Sequence, residues 1–380
     1  MVSLQVQPDA VVLGGGPIGL ATAWRAAERG LRVQVLDAGL PGAWSAAAGM
    51  LAPATEAEYG ERALLELGLR SAAAYEGFAA ELADASGRDP GFRRAGTLVV
   101  ARDRDDAEEF DRLHAFRRSL GLEVERLRPT QARRVEPALA PTVRLALDFP
   151  HDHSIDPRRM VAALRQAVLN AGGVIRHGAR VTAIEVGSDR VTGVRLEDGE
   201  FVGAGAVLIA GGAWAAQLEG LPEHARVPVR PVKGTVLRLR DPAGPGLIER
   251  AIRTREAYLV PRADGGYVLG ATMEDQGFDL TPTAGGVFEL LRDISEVLPG
   301  VHELMLEEVL CGLRPTTPDN LPAIGAGALE GLTWATGHFR NGILLTPASA
   351  ELAAAALAGE ALPDWAADCS PQRFAAGVPA

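Results

Sequence analysis

The sequence has little cysteine: Cys311 and Cys369 are the only two in 380 residues. That count excludes the disulfide framework of a small secreted domain and points to a reducing compartment. No run approaches the ~18 apolar residues of a membrane span. The opening "MVSLQVQPDAVVLGGG" lacks the basic and apolar regions of a signal peptide. The expected location is therefore the cytoplasm. Basic blocks are absent too, and the net charge is −11, which argues against nucleic acid and anionic membranes as partners. There is no serine in a G-x-S-x-G elbow and no recognisable pair of hydrolytic carboxylates. A Cys/His cluster is also lacking. His151 and His153 would point to opposite faces of an extended segment, so no metal site is expected. Cys311 lies in an apolar strand pattern that suits a core position better than a nucleophile.

What is present is ordinary globular material, 47% hydrophobic and 23% charged, and its length favours two domains over one. The most specific local signal is "AVVLGGGPIGLATAWRAAERGLRVQVLDAG". A short apolar strand, Ala10 to Leu13, stops at glycines. Gly14, Gly16 and Gly19 then give the G-x-G-x-x-G spacing, with Pro17 and Ile18 opening a helix that Gly30 ends. A second strand closes at Asp37. In dinucleotide binding Gly14 permits the turn, Gly16 admits a pyrophosphate and Gly19 lets the helix pack on the strand. The helix N-terminus offers free N–H groups to the phosphates, and Asp37 can accept bonds from a ribose diol. At this point NAD and FAD are both open. Only one such fingerprint occurs, so the nucleotide is either NAD or a flavin reduced directly by substrate.

Further along, "GAWSAAAGMLAP" (42–53) is nearly all small residues, which let backbone lie against a flat ligand. In "SIDPRRMVAALRQAVLNAGG", Asp156 caps a helix, Pro157 takes its first turn and Gly172-Gly173 ends it. Strand-like runs follow, and "AVLIAGGAW" again stops at glycines, Gly211 and Gly212. "VRPVKGTVLRLR", "AYLVPRADGGYVLGATM" and "LEEVLCGLRP" read as strands with a hairpin signal at Asp264-Gly265-Gly266. The layout is an α/β nucleotide domain interrupted by segments of a second, strand-rich domain.

Two arginines stand out near the end, Arg314 in "GLRPTTPDNLP" and Arg340 in "GHFRNGILLTP". Partly buried cations need an anionic partner. With Tyr258 among strands, they suit a redox reaction in which the cofactor supplies the chemistry and the protein orients the substrate.

"VVLGGGPIGL", "SAAAGMLAP", "YLVPR…GATM", "GLRPTTPDNLPAIG" and "GHFRNGILLTP", in this order, resemble the FAD-dependent D-amino-acid oxidase superfamily, and within it most closely the glycine oxidases of thiamine biosynthesis. The resemblance extends from about Val11 to about Leu357. It implies an α/β fold: a Rossmann-like FAD-binding domain of the D-amino-acid oxidase type (1–86, 150–222 and 312–380) and a substrate domain on a mostly antiparallel sheet (87–149 and 223–311). It implies oxidation of a small primary or secondary amino acid (glycine, sarcosine, D-alanine, D-proline) to the imine, by hydride transfer to the flavin. Dioxygen is then reduced to hydrogen peroxide. A dehydrogenase using another electron acceptor is the neighbouring reading, and a homotetramer is the implied assembly.

By the same resemblance Arg314 clamps the substrate carboxylate, Tyr258 helps hold it, Arg340 lies near it, and Met50 and Met273 line a small pocket beside the flavin. The implied cofactor residues are Gly14, Gly16, Pro17, Ile18, Gly19, Asp37, Ser45, Ala46, Ala47, Ala48, Gly49, Met50, Val181, Gly211, Gly212, Trp214, Gly312, Arg314, His338, Arg340, Asn341, Gly342, Ile343 and Leu344. A helix beginning after Gly342 would aim its N-terminus at the flavin pyrimidine edge. Asp37 stands where glutamate is more usual. Cys311 lies one residue before the position where monomeric sarcosine oxidases attach flavin covalently, and so on the opposite strand face. The FAD is therefore expected to be non-covalent.

Overall fold

The computed structural model describes residues 7–244 and 246–375. The strand Ala10–Leu13 is apolar and buried along its whole length, the pattern of a parallel strand covered on both faces. It lies at the centre of a six-stranded sheet ordered Ala323–Ala326, Leu332–Thr336, Ala206–Ile209, Ala10–Leu13, Val33–Asp37 and Val174–His177. All neighbours pair in parallel except the first two. Ala10 and Val12 face the helices Pro17–Glu28, Pro157–Asn170 and Thr346–Leu357. Val11 and Leu13 face a small antiparallel sheet of Val181–Gly187, Arg190–Leu196 and Phe201–Gly203. Asp156 caps its helix as expected, accepting from the amides of Arg158 and Arg159. The strands end together at Leu13, Ile209 and Asp37, the edge at which such sheets bind ligands.

A second sheet has eight strands, ordered Met305–Thr316, Arg230–Arg240, Gly266–Gly270, Tyr258–Pro261, Ala251–Arg253, Thr97–Ala101, Leu145–Phe149 and Glu125–Leu127. Only Ala251–Arg253 beside Thr97–Ala101 is a parallel pair. Alternation sorts its side chains. Leu237, Leu259 and Leu269 pack under the helix Ala284–Ser295. Val236, Val260 and Val268 meet Ala46 and Ala48 of the small-residue segment. The strand Met305–Thr316 runs unbroken through the position expected to divide the two domains, between residues 311 and 312.

The helix expected after Gly342 starts later. A single 3-10 turn, Phe339–Asn341, is followed by a turn and then by the helix Thr346–Leu357. Pro347 is the reason. Lacking an N–H, it is tolerated in a first turn but would break a helix begun at Gly342. The loop is instead pinned by the helix Arg62–Ser86: the buried Tyr75 hydroxyl donates to the Ile343 carbonyl at 2.8 Å, and Ser71 Oγ donates to the Leu344 carbonyl at 2.7 Å. No helix among the described residues is long and apolar enough to cross a membrane.

Removing the Tyr75 hydroxyl would leave the Ile343 carbonyl only its bond from the Thr346 amide at 3.2 Å. We expect Tyr75→Phe to lower the unfolding free energy by about 0.5–1.5 kcal/mol, read as an earlier urea midpoint. An unchanged midpoint would show that this bond does not hold the loop.

Candidate active site

Between the two sheets lies one cavity of about 1750 Å³, larger than the ~300–1,000 Å³ of ordinary small-molecule sites. At one end it is lined by Gly14, Gly16, Pro17, Ile18 and Asp37, then by Ser45, Ala46, Ala47, Ala48, Gly49 and Met50, with Val181, Gly211, Gly212 and Trp214 on the opposite wall. The helix Pro17–Glu28 has Gly16 as its N-cap and no side-chain cap, so its first turn opens on the cavity with amide groups to offer an anion. Gly19 does not line the cavity. A Cβ there would collide with the Gly14 carbonyl, so its work is helix–strand packing. Gly15, not singled out from sequence, lines the cavity and lies so close to Asp37 that a side chain would strike the carboxylate. Asp37 accepts from the Gly39 amide at 3.1 Å and from Arg165 Nη2 at 3.3 Å. The bare glycine turn and the alanine wall fit an extended dinucleotide of the FAD kind. Those residues would cradle its pyrophosphate and ribose.

The other end is lined by Gly312, Arg314, Tyr258, Met273, His338, Arg340, Asn341, Gly342 and Ile343. Arg314 lies over Gly234, its diagonal neighbour on the adjacent strand. A Cβ on Gly234 would stand 2.6 Å from the Arg314 Cζ, so the glycine makes room for the guanidinium. Nη1 donates to the carbonyls of Lys233, at 3.3 Å, and Thr272, at 3.1 Å. Lys233, the only lysine in the chain, is itself fixed. It is buried, and its Nζ donates to the Thr281 carbonyl at 2.7 Å and pairs with Glu274 at 3.1 Å. Tyr258 is seated the same way, over Gly270. Burial raises its pKa against the opposing pull of Arg314 and Arg253, so the hydroxyl stays protonated and able to donate. His338 is buried with Nε2 2.9 Å from Ser349 Oγ, and burial lowers its pKa to about 3. It is neutral at working pH.

Eight arginines among the described residues line the cavity. Arg102 pairs with Asp106, Arg165 with Asp37, Arg180 with Glu197, Arg255 with Glu109, Arg292 with Asp293, and Arg253 and Arg340 both with Glu56. Arg314 alone has no carboxylate within 4 Å among the described residues. Arg340, expected near the substrate carboxylate, thus already has an anion. Its Nε lies 2.6 Å from Glu56 Oε2, a charge contact without the in-line geometry of a hydrogen bond. Met273 lines the cavity and is 64% exposed. One further expectation changes. Leu344 faces the core beneath the loop, beside Gly68, because the turn after Gly342 carries its side chain away from the cavity. Glu56 and Gly234 were both missed. A glycine inside the strand pattern "PVKGTV" marks close backbone approach, whereas Glu56 had no signal in its loop.

A family model described as FAD dependent oxidoreductase matches residues 9–356. The bifunctional protein ThiO/ThiG of Synechocystis sp. is 35% identical over 98% of this chain, which spans about half (55%) of that protein's length. The hydrogen cyanide synthase subunit HcnC of Pseudomonas aeruginosa is 31% identical over 88% of this chain and 89% of its own. The crystal structure of glycine oxidase from Geobacillus kaustophilus superposes with a TM-score of 0.89 and 32% identity, covering 97% of this chain and 99% of that one.

Gly234→Ala tests the seat of Arg314. The obstructed group is the flexible end of a side chain, so the guanidinium is displaced while the strand survives. We expect the bound flavin and the folded yield to persist and the affinity for acetate, followed by flavin absorbance, to fall at least about tenfold. Unaltered acetate affinity would remove Gly234 from the site.

Proposed function

The chain belongs to the FAD-dependent oxidoreductase family, and on that premise we propose that it oxidises glycine and other small amino acids (sarcosine, D-alanine, D-proline) to the imine. One observation carries this reading: Arg314 is the single cavity arginine without a carboxylate among the described residues, and it faces the same space as the Tyr258 hydroxyl. An amino-acid carboxylate satisfies both groups, with the guanidinium offering a planar fork and the phenol a further donor. FAD, when bound, supplies the two-electron acceptor. The protein's part is to fix the α-carbon by its carboxylate and to keep the surroundings neutral through His338. The amino acid loses two electrons and two protons to give the imine, and water splits the imine into an oxo-acid and ammonia or an amine. Dioxygen takes the electrons in the proposed oxidase, yielding hydrogen peroxide. A dehydrogenase with another acceptor would give no peroxide under air. The likeness to ThiO/ThiG favours delivery of the glycine imine to thiamine thiazole synthesis. The same reading takes the protein to be cytoplasmic and tetrameric.

We further propose that the flavin is non-covalent. Cys311 Sγ lies 3.4 Å from Thr235 Oγ1, and Cys311 is not among the cavity-lining residues. Acid precipitation should leave the yellow colour in the supernatant; colour in the pellet would overturn this.

Glycine should bleach the flavin anaerobically and yield peroxide, glyoxylate and ammonia in air. A lost charged hydrogen bond costs on the order of 1.5–3 kcal/mol, so Arg314→Ala should lower kcat/KM by at least about 10–100-fold with flavin retained. Arg314→Lys should recover part of that loss, since it returns the charge without the fork. Normal turnover in Arg314→Ala would defeat the assignment.

A further inference from the structure

Seven of the eight cavity arginines are neutralised locally, and one carboxylate does this for two of them. Glu56 sits on the loop between Ala52 and Glu61, mostly buried, with Arg253 on one oxygen and Arg340 on the other. Arg253 closes a strand of the eight-stranded sheet, and Arg340 comes from the turn Phe339–Asn341. All three line the cavity that Arg314 faces.

The loop is built to hold Glu56 there. Asp152 accepts from the amides of Ala54 and Thr55, at 3.3 and 2.6 Å, and from the Thr55 hydroxyl at 2.5 Å. Arg117 Nη2 donates to the Thr55 carbonyl at 2.5 Å. The charged groups around the Glu56 carboxylate are Arg253, Arg340 and Arg117, with Glu58, Glu61 and Asp152 beyond them. Burial works against its charge, but Arg253 and Arg340 outweigh that and hold Glu56 below the ordinary glutamate range.

We propose that Glu56 is a specificity-determining residue: an internal counter-ion standing where a second substrate carboxylate would bind, which confines the site to amino acids with a single carboxylate. The inference deepens the function proposed above and rests on its assignment of Arg314. A substrate anchored at Arg314 and carrying a second carboxylate finds its natural cations, Arg253 and Arg340, already joined to an anion. Adding another there places two negative charges around one pair of guanidiniums in a partly desolvated space, where like charges repel strongly. Without the Glu56 charge, the same two guanidiniums become a receptor for a second carboxylate.

The test compares malonate with monomethyl malonate at pH 8, where the first is a dianion and the second a monoanion of nearly equal size. Dissociation constants are read from the flavin spectrum of the holoprotein. In the wild type the half-ester should bind at least tenfold more tightly than malonate. In Glu56→Gln that ratio should shift toward malonate by at least tenfold. Equal binding of the two anions to the wild type, or an unshifted ratio in the variant, overturns the proposal. If the variant does not retain flavin, the wild-type comparison alone decides. A spectrum that responds to no carboxylate, acetate included, instead overturns the Arg314 assignment, and the Glu56 inference with it.

Discussion

A guanidinium laid over a bare glycine and left without a carboxylate partner among the described residues is the constraint around which this cavity is arranged. A partly buried cation is costly unless charge or well-placed acceptors meet it. The two carbonyls on one Arg314 nitrogen, from Lys233 and Thr272, orient the group without cancelling its charge. Everything nearby protects that imbalance. Lys233 is tied to Glu274, Tyr258 stays protonated, and the remaining cavity arginines are matched with carboxylates. In the proposed reading, specificity arises as much from the cations that are silenced as from the one that is not.

The two sheets meet through small side chains. Ala46 and Ala48 rest on Val236, Val260 and Val268, and a side chain at Gly312 would press on Ala43 and Ala46. Larger residues here would part the sheets and pull the Arg314 end of the cavity away from the glycine-turn end. The alanine-rich segment thus sets the separation between the two ends, and Pro347 sets where the closing helix begins.

Much of this was legible in the sequence where a residue's role is local. Gly14, Gly16 and Gly19 form one local turn in which Gly19 packs on the Gly14 carbonyl, although what crowds Gly14 is the distant Ala210, and Asp156 with Pro157 caps its own helix. Arg314 and Tyr258 could be placed because family motifs surround them. Partnerships between distant segments could not. Arg340 looked available because Glu56, far away in the chain, carries no pattern of its own. Leu344 faces the core because the turn after Gly342 is not yet helix, and Met273 is largely exposed because its strand has already ended at Gly270. The glycine in "PVKGTV" was readable as a close approach, but only the fold says what approaches.

Lys233 has one more consequence. It is the chain's only lysine and its side chain is 1% exposed, so every other basic side chain apart from histidine is a guanidinium. The described surface therefore presents no ε-amine to aldehydes or acylating agents. A protein that releases a reactive carbonyl compound beside its own surface would, with this composition, have no exposed lysine to be consumed by Schiff-base formation.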